Sequence, residues 1–401
     1  MSEWKEYRTT DLLEQDLLAI GDGYRAKNIE LSATKLDGLP FARVGNINGG
    51  FNFHVADYFP NNNLKRVGEK ISKVGDVVFT SKGTVGRFAF VNDKSPLFVY
   101  SPQLCFWRSL DQNFIFPRFL LYWMQSREFF EQADAVKSQT DMADYVNLAD
   151  QRKMKITLPD ITEQRTIASV LSSLDDKIDL LHRQNSTLEA MAETLFRQWF
   201  VEEAKEDWVE GTLDNILTVK GGTTPSTAEP AYWNGTIHWT SPRDITNLNG
   251  IYLFDTERKI TELGLSKISS GLLPKGTLLM SSRAPVGVLA FSEVPVAINQ
   301  GYIAILDNKG YSKEFIYLWL KINIDVVHSF SNGSTFMEIS KSAFKTMQLQ
   351  IPPKQVLTNF QILVKPLFEK IKSNLIQIRT LTTLRDTLLP KLMSGEIWVC
   401  K

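Results

Sequence analysis

Cysteine is nearly missing from this chain. Cys105 and Cys400 are the two among 401 residues, too few and too far apart for a disulfide framework or a metal cluster. His54, His182, His238 and His328 show no metal-ligand spacing either. No apolar run approaches the roughly 20 residues that a membrane-spanning helix needs, and the opening MSEWKEYRTTDLLEQ lacks the pattern of a signal peptide. The expectation is a cytoplasmic protein without metal or membrane. Charge of one sign is lacking too. Lys+Arg and Asp+Glu both count 45, which excludes a surface coated in positive charge. It leaves room for a local basic patch, which is what binding to nucleic acid requires.

Motifs that carry chemistry are missing as well. There is no dinucleotide-binding fingerprint and no nuclease-like acidic cluster. SKGTVG (Ser81–Gly86) has glycine and lysine but not the order of a phosphate-cradling loop. IPPK (Ile351–Lys354) has the paired prolines of an adenine-methyltransferase motif. It lacks the polar residue before them and the aromatic after them, and reads as punctuation between strand and helix. No residue is expected to be catalytic.

What is present is repetition. TSKGTVGRFAF (Thr80–Phe90) returns as SSRAPVGVLAF (Ser281–Phe291). Phe41–Ile47 likewise parallels Trp239–Ile245, Lys73–Phe79 parallels Pro274–Met280, and Arg118–Met124 parallels Glu314–Leu320. Gln139–Met142 parallels Ser334–Met337, and Met154–Pro159 parallels Met347–Pro352. The order never changes, so a unit of about 200 residues is duplicated in tandem, a period too long for a solenoid. Each copy begins with short apolar runs broken by Gly, Pro, Asn and Ser, which read as strands. One amphipathic helix interrupts them, PRFLLYWMQSREFFEQ in the first copy and KEFIYLWLKINIDVV in the second. In the repeated stretch, Val85/Val286 and Phe90/Phe291 read as core, and Gly86/Gly287 as a turn with positive φ.

After Pro159 and Pro352 the texture becomes continuous helix. Ile167, Leu171, Leu174, Ile178, Leu181, Asn185, Leu188, Ala192, Leu195 and Trp199 alternate in steps of four and three. Phe360, Val364, Leu367, Ile371, Asn374, Ile378, Leu381, Arg385 and Leu388 do the same, with Pro366 expected to kink the helix or mark its start. Asp160 or Thr162 is placed to cap the first helix. Each seam holds one asparagine, Asn185 and Asn374, of the kind that disfavours wrong registers. Each helix could pack on its own globule, but a narrow seam asks instead for a second helix, and the chain supplies one.

The fold class is therefore mixed α/β. Two globular domains in tandem repeat are separated by two long helices, which form an antiparallel coiled coil with pseudo-two-fold symmetry. The expected boundaries are 1–157, 158–204 for the first helix, 205–351, and 352–401 for the second helix and tail.

These features resemble the specificity subunit of type I restriction–modification enzymes. The resemblance spans essentially the whole chain. It rests on the duplication, on LPxxxEQ (Leu158–Gln164), on ETLFRQWF, on LLPKLMSGEI (Leu388–Ile397), and on GGTTPST…YWNGTIHWTSPRDI in the second globule. The first globule has no counterpart of that Gly-Gly-Thr stretch, only AIGDGYRAKNIE. The resemblance implies that each globule reads one half of a bipartite double-stranded DNA site. The helices would set the gap and dock two methyltransferase subunits, through which motor-nuclease subunits join. The chain would carry no cofactor, with S-adenosylmethionine, ATP and Mg on the partner subunits. Two other classes stand beside this. A coiled-coil scaffold without DNA readout predicts no salt-dependent DNA binding, and a methyltransferase with its own recognition domains needs a cofactor motif.

DNA readers need side chains that fork or bridge to base edges, with small polar and basic residues on phosphates. The candidates in the first copy are Arg43, Asn46, Asn48, Ser81, Lys82, Thr84, Gln103, Lys137, Ser138 and Gln139. In the second they are Thr223, Thr224, Ser241, Arg243, Ser282, Arg283, Asn299, Gln300, Asn332 and Ser334. Readers of different half-sites should differ at base contacts and agree at phosphate contacts. Ser81/Ser282 and Lys82/Arg283 therefore read as phosphate anchors.

Overall fold

A computed structural model describes residues 3–47, 50–136, 138–140, 143–307, 309–331 and 337–397. The chain forms two compact units, Met1–Ile178 with Leu381–Lys401, and Asp179–Thr380. Each unit contains one globule, part of the first long helix and part of the second.

In the first unit a four-stranded antiparallel sheet runs in the order Leu18–Asp22, Leu104–Ser109, Val77–Thr80, Phe88–Phe90. Its central strands are apolar on both faces because both faces are covered. Val77, Phe79, Cys105 and Trp107 join the core shared with the helices, whereas Val78, Ala89, Leu104 and Phe106 join a second cluster. A three-stranded sheet, Tyr58–Pro60, Gly38–Ala42, Val99–Tyr100, lies beside it in sequence. Lys5–Arg8 pairs antiparallel with Lys155–Leu158 and ties the start of the globule to its end.

The second unit repeats this plan. Its large sheet is Thr218–Lys220, Tyr302–Asp307, Leu278–Ser281, Leu289–Ser292, with Tyr252–Leu253 added at the edge. Its small sheet is Arg258–Ile260, Trp233–Thr240, Val296–Ile298, and Val209–Thr212 pairs with Gln348–Ile351. The single amphipathic helix expected in each copy is instead two, Pro117–Met124 with Arg127–Val136, and Lys313–Ile322 with Ile324–Ser329. The breaks fall at Gln125, with ψ −1°, and at Asn323, with ψ 30°, whose side chain donates to Trp319 O at 2.9 Å.

The long helices span Ile161–Arg197 and Lys354–Met393, the first passing into a π turn over Gln198–Glu202. Asp160 caps the first: its Oδ1 accepts from Glu163 N–H at 2.9 Å and its carbonyl from Gln164 N–H. Gln164 is buried and bonds Phe114 O, Pro159 O and Phe116 N–H, which fixes the helix to the first globule. Pro366 does not start the second helix. That start lies at Lys354, where Pro353 O accepts from Val356 and Leu357 N–H. Pro366 is exposed, as is Ile362, whose carbonyl loses its usual N–H partner there.

Within the second unit the helices run antiparallel. Asn374 Nδ2 donates to Asn185 Oδ1 at 2.9 Å, and further on Phe196 meets Phe360 edge-on at 5.9 Å. Leu181, Val364, Ile371, Asn374 and Ile378 are buried, and Asn185, Leu188, Leu195 and Leu367 half-buried. Within the first unit Leu171 shares a core with Leu392 and Met393, and Arg385 bonds Asp175 at 3.0 Å. Leu174, Ile178 and Leu381 are half-buried there.

The apolar stripe is wider than the seam, however. Ala168, Phe196, Phe368 and Leu375 are also buried, and Phe368 packs on Phe291 and Tyr317 of the second globule. The helices pack on each other and on the globules at once, so the two packing alternatives are both realised. No helix among the described residues is long and apolar enough to cross a membrane.

Candidate nucleic-acid interface

Both copies build the same loop from the repeated stretch. Thr80 Oγ1 donates to Thr84 O at 2.6 Å and accepts from Arg87 N–H at 2.9 Å. Ser281 Oγ donates to Pro285 O at 2.6 Å and accepts from Val288 N–H at 2.9 Å. Gly86 N–H reaches Thr80 O and Gly287 N–H reaches Ser281 O. Both glycines have positive φ, 96° and 87°, as the turn requires. Val286 and Phe291 are buried, while Val85 and Phe90 are half-buried against the first core.

Several expected contact residues are used up by folding instead. Ser81 and Ser282 are only 1% and 3% exposed, and their N–H groups bond Gln103 O and Gly301 O. They cannot serve as phosphate anchors, because no oxygen of a phosphate could reach them. Asn46 is buried, and its side chain accepts from Arg43 N–H and donates to Asn52 O. Thr223 Oγ1 joins Lys267 O to Ser269 N–H. Asn299 Oδ1 accepts from Gly301 N–H. Ser241 starts the helix Pro242–Thr246, its N–H bonded to Asp244 Oδ2 at 2.8 Å.

Other candidates stay exposed. Lys82, Thr84 and Gln103 are exposed, and Lys82 Nζ lies 5.9 Å from the centre of the Tyr145 ring. Arg43 is exposed and paired with Asp57 at 2.5 Å. In the second unit Thr224 Oγ1 donates to exposed Gln300 Oε1 at 2.7 Å. Arg283 pairs with Glu338 at 3.1 Å, and Arg243 stands 4.0 Å from Glu257. These pairs are about half exposed or more, so they are weak and exchangeable. Ser138 and Gln139 lie in the strand Ser138–Thr140, which pairs with Ala143–Tyr145. Asn48, Lys137, Asn332 and Ser334 lie outside the described residues.

The backbone adds residues that side-chain reasoning missed. Gly222 comes so close to Ile298 O that a Cβ there would sit 1.8 Å away, and Thr223 N–H bonds Ile298 O. Gly23 repeats this: its Cβ would lie 2.0 Å from Ser101 O, and Tyr24 N–H bonds Tyr100 O. The first globule therefore has a counterpart of the Gly-Gly-Thr stretch after all, in the GDGY of AIGDGYRAKNIE. One glycine and a following N–H suffice for it, which a comparison of side chains overlooks. Lys82 and Arg283 also each bridge to a later residue, Tyr145 and Glu338. In the second unit Arg258 stacks 3.4 Å over Trp233 and contacts Trp239.

Each surface thus offers donors, acceptors and basic groups on a rigid frame. Burial pushes the Cys105 thiol and the Tyr302 hydroxyl up, away from reactivity. Among the described residues no three His, Cys, Asp or Glu side chains group to hold a metal.

Comparison with known proteins places this arrangement. A family model described as "Type I restriction modification DNA specificity domain" matches residues 1–190 and 205–374. The specificity subunit of the type I restriction enzyme MjaIX from Methanocaldococcus jannaschii is 36% identical over 162 residues, which are 40% of this chain and 38% of that one. The HindI specificity subunit from Haemophilus influenzae is 22% identical over 99% of this chain and 100% of its own length. A crystal structure of a type I restriction–modification S subunit from M. genitalium superposes with a TM-score of 0.62, over 98% of this chain and 96% of that one, at 18% identity.

Proposed function

The chain belongs to the type I restriction–modification DNA specificity family, and on that premise we propose that it is the DNA-reading subunit of such a system. Each unit reads one half of a bipartite target in double-stranded DNA. The two long helices set the gap between the half-sites and dock two methyltransferase subunits, and motor-nuclease subunits join through these. The chain does no chemistry itself. S-adenosylmethionine, ATP and Mg belong to the partner subunits. The proposed division of the chain is a recognition domain over 1–157 and another over 205–351, with spacer helices over 158–204 and 352–401.

One observation carries this reading. The same frame occurs once per unit, with a glycine pressed on the end of a small-sheet strand and a basic residue just after a large-sheet strand. The frame repeats while the exposed side chains on it differ. Thr84 and Gln103 stand in one copy, and Thr224, Arg243 and Gln300 in the other. A shared scaffold with different polar tips suits two readers of different sequences.

Replacing residues 1–159 with those of a relative tests it, with methylated adenines mapped in a host that carries the complete system. One half of the modified site should change and the other should stay. A change in both halves rules out one reader per unit.

A further inference from the structure

The edge of one small sheet differs between the two units. In the first unit the outer side of Lys155–Leu158 is closed by its own helix. Gln132 Oε1 accepts from Lys155 N–H at 2.7 Å and its Nε2 donates to Lys155 O at 2.8 Å. Glu128 Oε1 accepts from Thr157 N–H at 3.0 Å. In the second unit the matching strand is Gln348–Ile351. Leu213 N–H bonds Met347 O, so the alternation makes Leu349 and Ile351 the bonded partners of Gly211 and Val209. The N–H and C=O of Gln348 and Gln350 are left pointing outward, and no strand among the described residues covers them.

The side chains that would close this edge have changed. The helix that follows in this copy is the shorter Ile324–Ser329, and among the described residues none of its side chains bonds Gln348–Ile351. Ile324 offers no acceptor and packs toward Gly287, and His328 Nε2 contacts Val286 O at 3.2 Å. A groove of about 500 Å³ lies over this strand pair, touching Glu210, Gly211 and Thr212 as well as Gln348, Leu349 and Gln350. Phe196, Phe200, Phe315 and Trp319 line it, together with Gln348 and Gln350. The segment Val201–Glu210, which meets the groove at Val201 and Glu210, carries Glu202, Glu203, Glu206, Asp207 and Glu210 against Lys205, all exposed.

We propose that the outer edge of Gln348–Ile351 takes an extended segment of a partner chain as an added strand, one in which basic residues alternate with apolar ones. The unpaired main-chain groups demand an extended occupant, since only another strand presents donors and acceptors at the same spacing. The aromatic groove takes the apolar side chains, every second residue of that strand. The carboxylates of Val201–Glu210 select basic residues for the other face.

The test uses the full-length chain and a fluorescein-labelled Lys-Val-Lys-Val-Lys-Val peptide, with binding read by anisotropy. Gln350→Pro removes an outward N–H without touching the ladder to Val209 and Gly211, a place where an edge strand tolerates proline. It should weaken binding about tenfold or more. Glu202→Lys with Glu203→Lys, both exposed, should weaken it too and should favour a Glu-Val peptide instead. No saturable binding to the unaltered chain, or equal binding to Gln350→Pro, overturns the proposal. A self-associated chain that Gln350→Pro dissolves also overturns it, by making a second copy the occupant. Binding of target DNA should be the same in all variants, so failure here leaves the DNA-reading proposal standing.

Discussion

The hydroxyls of Thr80 and Ser281, 201 residues apart, hold the same two positions in their loops: each donates to the carbonyl four residues on and accepts from the N–H seven residues on. Both residues are fully buried. Thr80→Val keeps the shape but leaves the part-buried Arg87 N–H and Thr84 C=O without this partner, which costs about 1–2 kcal/mol. Ser281→Ala should cost a similar amount. Urea denaturation checks both. Because the loops serve separate units, methylation mapping should show Thr80→Val weakening recognition of one half-site only.

The Asn185–Asn374 pair makes one bond, and Asn185 Nδ2 and Asn374 Oδ1 stay buried without a partner among the described residues. Asn374→Leu alone removes that bond and should lower stability by about 1–3 kcal/mol. Asn185→Leu with Asn374→Leu should restore or exceed the original stability, since two apolar side chains leave nothing unpaired. Thermal unfolding of the single and double variants should therefore be strongly non-additive.

His182 is half-buried on the first long helix, its Nε2 3.3 Å from Asn249 Nδ2. Burial holds its pKa below the ordinary 6.5. The unfolded chain then binds more protons there than the folded one, so stability is full above about pH 6.5 and falls as the pH drops from there toward the lower folded value. His182→Gln should flatten that part of a stability–pH curve measured between pH 5 and 8.

Salt dependence separates the exposed basic residues from the buried serines. Lys82→Gln, Arg243→Gln and Arg283→Gln should each reduce the slope of log K against log salt for target DNA by about 1, the loss of one phosphate contact. Ser81→Ala and Ser282→Ala should leave the slope unchanged. Equal slopes throughout would remove these three cations from the interface.

Much of this fold is legible in the sequence because it is written twice. The strand pair around Thr80–Phe90, the glycine turn and the long helices follow from local patterns that recur in register. Which polar residues stay available does not follow. Asn46, Ser81 and Thr223 have the composition of contact residues, yet each is spent on backbone groups brought near only by the fold. The counterpart of the Gly-Gly-Thr stretch stayed hidden because what repeats is the close approach of Gly23 to Ser101, not a side chain. The seam showed which helix positions meet the other helix. It was silent on Phe196 and Phe368, whose burial depends on a globule folded elsewhere in the chain.

The first unit draws on residues 1–178 and on residues from 381 onward, with Leu392 and Met393 buried in its core. During synthesis those residues emerge after every part of the second unit has been made. The globule begun first is thus closed last, and its core carries the longest sequence separations in the protein. A ribosome stalled before residue 381 would present a second unit with all its pieces and a first unit still lacking some of its own.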